Sequence, residues 1–448
     1  MSEFPISLRN PIEHAGPLPT EADVVIVGGG VIGVSTAYYL DRKGLRPVLL
    51  EKGRIAGEQS SRNWGWIRQQ GRDLVELPIM IEANRLWNEI AADLDADIGL
   101  STCGLTYFSS GEAETTRYEH WLKDAVPLGV DSRILSSREV DALIPGMTQS
   151  VPAGLHTASD MKAEPWVAVP AIARAAVRAG AVIVENCAAR VLDRSGGRIS
   201  GVVTEFGLIR APEVIVAGGA WSSLFLRNEG VSIPQLSVRA TVAATQALPD
   251  VYQGGAVGES LAFRRRGDGG YTLAAAGYHE LFVGWDALRN VPKFVPQLRR
   301  APFGTTYRPF SPEVGYPDGW STKRNWDADQ ETVFERMRVL NPAPNAGKVE
   351  QVRAGFQALF PALGDVRITT SWAGMIDTMP DIVPVVDRAP VPGLSICTGM
   401  CGHGFGIGPG FGRIMADLVS GDDVGHDLTR FRYSRFSDGS RLELGPDL

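Results

Sequence analysis

The chain has 448 residues and a formal net charge of −7. A chain of this length is too long to fold around a single hydrophobic core, which predicts two domains. An acidic chain without a basic block is a poor candidate for nucleic-acid binding. The four cysteines form no metal-type cluster, so we expect no metal and a reducing, cytoplasmic location. The first twenty residues lack the apolar core of a signal peptide, and glycines break the longest apolar run, residues 22–40. We therefore expect no integral membrane segment.

The segment "ADVVIVGGGVIGVSTAYYL" predicts a buried strand, a tight turn and a helix. Its turn, Gly28 to Gly33, has the pattern G-x-G-x-x-G. Gly28 permits the sharp turn, Gly30 lets a pyrophosphate approach the backbone, and Gly33 lets the helix pack against the strand. The next strand ends in Glu51, 18 residues after Gly33, where a carboxylate can bind a ribose hydroxyl. This unit predicts dinucleotide binding and leaves NAD and FAD open.

The loop "GEQSSRNWGWIRQQGRD" follows, with two tryptophans, three arginines and no helical or strand period. Trp64 and Trp66 suit the wall of a ring-binding or substrate pocket. The alternative is ordinary packing in a core or an interface. Both interpretations remain open from the sequence.

Three strand patterns follow in the middle of the chain. A helix and a strand lead into a hairpin at residues 190–207, and "APEVIVAGGAWSS" is a strand that runs into Gly218 and Trp221. The segment "FRRRGDGGYTLAAAG" predicts a second hairpin. Because side chains alternate along a strand, Arg265 is expected to face opposite to its two arginine neighbours.

Residues 281–326 change character, being rich in proline, arginine and aromatic residues with little periodicity. So long an irregular segment is usually functional. We expect it to cover the active site as a lid or to form a subunit interface or docking surface. Its aromatic residues are too numerous for a solvated loop: Trp285, Phe294, Phe303, Tyr307, Phe310, Tyr316 and Trp320.

A second glycine-rich turn lies near the C-terminus, in "GLSICTGMCGHGFGIGPGFGRIMADLVSGD". It again connects an apolar strand to a helix. Two such helix starts favour FAD over NAD, because one can bind the pyrophosphate and the other can stabilise the reduced flavin ring. His403 lies in this turn and is a catalytic candidate, with a purely structural role as its alternative.

Five ordered segments, "VVIVGGGVIGVSTAYYL", "SSRNWG", "VIVAGGAWS", "PDIVPVVD" and "GHGFG", together resemble the D-amino acid oxidase superfamily. This superfamily includes glycine and sarcosine oxidases, D-amino acid dehydrogenases and opine oxidase subunits. The resemblance implies an α/β fold, with a Rossmann-like FAD-binding domain and an α+β substrate domain on a mostly antiparallel sheet. The expected boundaries are an arm at 1–20, the FAD-binding domain at 21–90, 151–222 and 380–430, the substrate domain at 91–150 and 223–379, and a tail at 431–448.

The glycine turns and the resemblance together assign the cofactor-binding residues, and FAD is expected to bind without a covalent bond. These residues are Gly28, Gly30, Val31, Ile32, Gly33, Glu51, Lys52, Ser60, Ser61, Arg62, Asn63, Trp64, Gly65, Ala189, Gly218, Trp221, Gly402, His403, Gly404, Phe405 and Gly406.

The resemblance implies oxidation of a C–N bond in an amino acid or amine by hydride transfer to flavin N5. The resulting imine hydrolyses, and oxygen or another acceptor takes the electrons. Two positions depart from the family pattern: Ile376 and Gly406 stand where relatives carry an arginine or a lysine that binds the substrate carboxylate. We therefore expect a bulkier, opine-like or N-substituted substrate, with Trp66, Arg68, Arg265 and Ile376 as substrate-binding residues.

Two alternatives remain open from the sequence. One is oxidation of a hydroxy acid at its C–OH bond. The other is that the chain is the catalytic subunit of a heteromeric amine or opine dehydrogenase, with a homo-oligomer as a further possible assembly.

Overall fold

The structure, a computed structural model, describes residue 4 and residues 6–300, 305–310 and 315–446. Its helices alternate with strands along most of the chain. The α-helices are Val31–Arg42, Gln59–Arg62, Leu77–Asp93, Glu112–Ala125, Ser137–Leu143, Pro165–Ala179, Ser222–Asn228, Trp285–Arg300, Val333–Arg336, Ala346–Leu359 and Gly404–Ser420. Short 3-10 helices are Val126–Leu128, Gly219–Trp221, Pro361–Leu363, Thr429–Phe431 and Tyr433–Phe436. Among the described residues, no helix combines the length and the apolar character needed to cross a membrane.

A six-stranded sheet, parallel except at one edge, is built from distant parts of the chain. Its strands, in spatial order, are Val385–Arg388, Leu394–Thr398, Glu213–Val216, Val24–Val27, Pro47–Leu50 and Val182–Val184. The strands Val24–Val27 and Pro47–Leu50 are almost wholly buried because both faces of the sheet are covered.

Helices cover one face of this sheet, and a small sheet covers the other. The helices Val31–Arg42, Pro165–Ala179 and Gly404–Ser420 pack together on the first face. A Cβ on Gly412 would lie 2.4 Å from Ser35 Cβ, so glycine there permits close contact of two helices. The opposite face carries a three-stranded antiparallel sheet of Ala189–Ser195, Arg198–Thr204 and Gly207–Arg210.

The second large element is a ten-stranded, mostly antiparallel sheet. Its path runs through Thr305–Arg308, His279–Phe282, Leu236–Thr245, Tyr271–Ala274, Ala262–Arg265, Gly255–Val257, Leu105–Phe108, Ala153–Thr157 and Ser132–Ser136, and Ile368–Thr378 pairs with Leu236–Thr245. A further three-stranded sheet joins Trp66–Ile67, Met161–Lys162 and Ser101–Thr102. The expected fold class, a Rossmann-like unit with a second sheet-based unit, is confirmed.

The sheet pairing of one strand does not support one of the expected boundaries. We expected residues 151–222 to belong to the cofactor-binding domain, but Ala153–Thr157 pairs with Leu105–Phe108 in the large sheet. A short buried strand carries no pattern that shows which sheet it will join. The other domain boundaries remain predictions.

The segment 281–326 is less irregular than expected, because it contains the helix Trp285–Arg300 despite two internal prolines. The Asp318 carboxylate accepts hydrogen bonds from the backbone N–H groups of Asp286 and Ala287, at 2.5 and 3.0 Å, and so satisfies the helix start from a distant position. Trp285 is half exposed, Phe294 is buried, and Phe303 lies outside the described residues.

Candidate active site

A cavity of about 810 Å³ lies where the carboxyl ends of the parallel strands face the large sheet. Its volume is within the range of about 300–1,000 Å³ that is usual for ligand and cofactor sites. Val27, Leu50, Val216 and Thr398, each the last residue of a parallel strand, line it. None of the described residues between 281 and 326 lines the cavity, so the expectation that this segment forms a lid is not supported. Its alternative role as a subunit interface or docking surface remains a prediction.

The first glycine turn forms part of the cavity wall, and its geometry requires glycine at two positions. Gly28 has a φ of +117°, and a Cβ there would lie 2.4 Å from the Ala217 carbonyl oxygen. A Cβ on Gly33 would lie 1.9 Å from the Gly28 carbonyl oxygen. The helix Val31–Arg42 therefore begins directly at the cavity, where its free N–H groups can bind phosphate.

The Glu51 carboxylate joins this turn to the end of the next strand. It accepts hydrogen bonds from the backbone N–H groups of Gly29, at 2.8 Å, and Gly53, at 2.6 Å. Burial raises the pKa of Glu51 to about 7. Because an ionised carboxylate has about four acceptor sites, it can also accept from a ribose hydroxyl.

The loop after Glu51 divides into cavity-lining and supporting residues. Ser60 lines the cavity, and its Oγ accepts from the Val31 N–H at 2.8 Å. Asn63 also lines it and accepts from the Gly65 N–H at 2.8 Å. Trp64 and Trp66 line it too and meet edge to face, with ring centroids 4.9 Å apart. Both tryptophans therefore lie in the cavity wall, as the first of the two interpretations expects.

Three residues of this loop, Ser61, Arg62 and Gly65, direct their contacts into the protein behind the cavity wall. The Ser61 hydroxyl donates to the Ala56 carbonyl at 2.5 Å and lies outside the cavity wall. Arg62 borders the cavity, but its guanidinium is buried and donates to the carbonyl oxygens of Gly57 and Ala373. Gly65 packs against Ala163 and Arg264. The expected direct cofactor contacts of Ser61 and Gly65 are therefore not supported.

The second glycine turn brings another helix start to the same cavity. His403 precedes the helix Gly404–Ser420, and Gly402, Gly404 and Phe405 line the cavity beside it. Gly406 faces away: a Cβ there would lie 3.2 Å from Ile67 Cα, and its carbonyl accepts from Trp87 Nε1 at 2.8 Å. Gly406 and Gly33 thus serve packing rather than the cavity wall.

The two arginines expected to bind substrate have different surroundings. Arg68 lines the cavity, where its guanidinium lies 5.7 Å from the Tyr107 ring centroid. Arg265 does not: it donates to the carbonyl oxygens of Leu248 and Pro249, both at 3.2 Å. Arg265 is directed away from the cavity, so its expected contact with the substrate is not supported.

The other arginine of that strand is directed inward but is already paired. Arg264 is 1 % exposed, and its guanidinium forms two hydrogen bonds with the Glu164 carboxylate, at 3.0 and 2.9 Å. It lies beneath Gly65 rather than in the cavity wall.

The other residues predicted from the sequence to form the site also line the cavity: Gly28, Gly30, Val31, Ile32, Lys52, Ala189, Gly218, Trp221 and Ile376. Sequence reasoning missed Arg72 and Tyr107 as cavity-lining residues. Arg72 precedes the helix Leu77–Asp93 and stands four residues before Glu76, a spacing that indicates an ion pair and gives no indication of the cavity wall.

This arrangement fits FAD. Two helix starts open on one cavity, a glycine cradle leaves space that side chains would fill, and a carboxylate stands at the end of the second strand. The residues placed to hold the group are the cavity-lining residues of the two glycine turns, together with Glu51, Ser60, Asn63, Trp64 and Trp66. Direct contacts of individual residues with FAD remain predictions.

Comparisons with known proteins agree with this geometry. The sequence model of the DAO family, described as FAD dependent oxidoreductase, matches residues 23–418. The chain belongs to this family. The predicted superfamily, the FAD cofactor and the oxidoreductase class are thereby confirmed.

The relatives include enzymes with several amine and amino-acid substrates in their names. Mitochondrial sarcosine dehydrogenase from Mus musculus is 26 % identical over 93 % of this chain and 42 % of its own length. The chain thus spans less than half of that relative. Sarcosine oxidase subunit beta from Arthrobacter sp is 24 % identical and covers 96 % of this chain and 95 % of its own. The solved L-amino acid deaminase from Proteus myxofaciens, in complex with anthranilate, has a TM-score of 0.90 at 28 % identity and covers 95 % of this chain and 96 % of its own.

Proposed function

We propose that the protein oxidises a C–N bond in an amino acid or a secondary amine of opine-like or N-substituted type, giving an imine that hydrolyses. Bound FAD supplies the acceptor for the hydride at its N5 atom. The observation that carries the proposal is the convergence of both helix starts, the aromatic residues and Arg68 on one cavity. The names of the relatives, which include sarcosine, glycine and L-amino acid enzymes, support the same reaction class.

The residues of the chain contribute binding, orientation and exclusion of water. Arg68 provides a cation for a substrate carboxylate, and Trp66, Tyr107 and Phe108 provide apolar walls that reduce access of water. Ile376 contributes an aliphatic surface close to the second turn, with Cγ2 3.6 Å from the Cβ position of Gly402. The site therefore favours a substrate that combines one carboxylate with a sizeable apolar or N-linked group.

A heteromeric assembly is a second candidate, because one relative that matches almost along its full length is named a subunit. In that case a partner subunit would take the electrons, and oxygen would be a poor acceptor. The test measures the turnover rate with oxygen and with an artificial dye as the electron acceptor. The rates are compared between the chain purified alone and the chain co-purified with the products of neighbouring genes, which distinguishes a chain that acts alone from a heteromeric enzyme.

Arg68→Ala is expected to raise the KM of the best substrate roughly tenfold to a hundredfold, since a hydrogen bond to a charged group contributes about 1.5–3 kcal/mol. Steady-state kinetics on a panel of amino acids, amines and opines measures this change. Arg265→Ala is the matched control, because it removes the same charge outside the cavity and should leave KM unchanged.

Two results contradict this assignment. One is an unchanged KM in Arg68→Ala; the other is an equal rise in Arg265→Ala. The same panel tests substrate size: D-alanine, glycine and sarcosine should be poor substrates beside a bulkier N-substituted amino acid. If one of these three is the best substrate, the size argument is wrong.

A further inference from the structure

A cluster of two buried charged side chains and one partly buried histidine lies directly behind the second helix start. It consists of Arg72, Glu76 and His403. The side chains of Arg72 and Glu76 are each 2 % exposed. Burying charges is costly unless they are paired, so each charged side chain buried beside the cavity is expected to have a partner.

Arg72 holds the backbone of two cavity-lining residues. Its Nε donates to the Arg68 carbonyl at 3.1 Å, and its Nη2 donates to the His403 carbonyl at 3.3 Å. Its own carbonyl accepts from Trp121 Nε1 at 2.9 Å. Arg72 therefore ties the loop that carries Arg68 to the turn that carries His403.

Glu76 faces both other members of the cluster through one carboxylate oxygen. Its Oε2 lies 3.8 Å from Arg72 Nη1 and 3.5 Å from His403 Nδ1. These three atoms are buried and have no closer hydrogen-bond partner among the described residues. At 3.5 Å the contact with Nδ1 is at the outer limit of hydrogen-bond length.

The charge states of Glu76 and His403 determine which ring nitrogen carries the hydrogen. Burial raises the pKa of Glu76, but His403, Arg72 and Arg68 outweigh it, so that this pKa lies below its usual range. Burial, together with the positive charge of Arg72, lowers the pKa of His403 to about 4. At neutral pH an ionised carboxylate, which only accepts hydrogen bonds, thus faces a neutral imidazole with a single N–H.

We propose that Glu76 is a positioning residue that holds His403 in the tautomer with its hydrogen on Nδ1, so that Nε2 presents a lone pair to the substrate amine. The proposal rests on amine oxidation as the proposed function. Nε2 would accept a hydrogen bond from the substrate N–H and so orient the amine nitrogen and the carbon beside it. The site would then favour primary and secondary amines over tertiary amines, which have no N–H when neutral.

The test reads the tautomer directly, by long-range ¹H–¹⁵N correlation spectra of the FAD-bound protein labelled with [¹⁵N]histidine. His403→Gln assigns the signal among six histidines. His426 serves as an internal reference for a hydrogen on Nε2, because its Nε2 lies 2.7 Å from Glu82 Oε2. We expect His403 to carry its hydrogen on Nδ1 and His426 on Nε2. A hydrogen on Nε2 of His403 would overturn the proposal.

Glu76→Gln extends the test, because glutamine keeps the shape of the side chain but loses its charge. We expect a mixture of His403 tautomers and a fall of about tenfold in kcat/KM for a primary or secondary amine. Glu82→Gln is the control on the same helix and should change only the His426 signal. An unchanged His403 tautomer in Glu76→Gln overturns the proposal. Should that variant fail to fold, the native spectrum still decides, and absence of amine turnover would instead overturn the proposed function.

Discussion

Gly33→Ala is expected to yield a protein that retains little or no FAD. The added Cβ would lie 1.9 Å from the Gly28 carbonyl oxygen, and backbone on both sides of the turn would have to move. Overpacking of this kind typically costs about 1–3 kcal/mol and occasionally more. Because the displaced turn is also the expected phosphate site, cofactor affinity should fall together with stability. Flavin absorbance per protein and the midpoint of thermal unfolding measure the two effects.

Gly355→Ala is the matched control for this substitution. Gly355 lies within the helix Ala346–Leu359, and a Cβ there meets nothing within 4 Å. Alanine at such a position should stabilise the protein by roughly 0.5–1 kcal/mol and leave FAD content unchanged. If Gly33→Ala behaves like this control, the close approach of helix and turn is not required for FAD binding.

Glu51→Ala is expected to weaken FAD binding by about 1–3 kcal/mol. The substitution leaves the N–H groups of Gly29 and Gly53 without their acceptor and removes the expected ribose ligand. Titration of the FAD-free protein with FAD, followed by flavin fluorescence, gives the change in Kd.

Glu185→Ala is the control for Glu51→Ala. It distinguishes a carboxylate that only holds the turn from one that also binds the cofactor. Glu185 also accepts from backbone N–H groups, including that of Ile55 at 2.7 Å, but does not line the cavity. It should lower stability and change the Kd for FAD much less than Glu51→Ala does. Equal changes in Kd would show that Glu51 acts only by holding the turn.

The parts of the site that could be predicted from the sequence depend on short-range geometry. The turn from Gly28 to Gly33 and its relation to Glu51 involve residues close in the chain, so their pattern specifies their packing. The same holds for the helix start at His403, which follows a buried strand directly. These local patterns predicted a dinucleotide-binding unit and favoured FAD, whereas the fold class was implied by the resemblance to the superfamily.

The remainder depends on partners that are distant in sequence. Strand alternation correctly separated Arg265 from Arg264, but only the fold shows which face is directed inward and that Glu164 already pairs with Arg264. The helix Trp285–Arg300 was missed because Asp318 caps it from outside. The contact between Glu76 and His403 likewise joins two segments that only the folded chain brings together.

Anaerobic mixing of the purified protein with a substrate panel tests the central claim most directly. The proposed function predicts a yellow protein that releases intact FAD on acid denaturation, and whose flavin absorbance is bleached by at least one amino acid or N-substituted amine. Bleaching by hydroxy acids but by no amine would contradict C–N oxidation. A colourless protein that binds NAD would contradict the cofactor site as well.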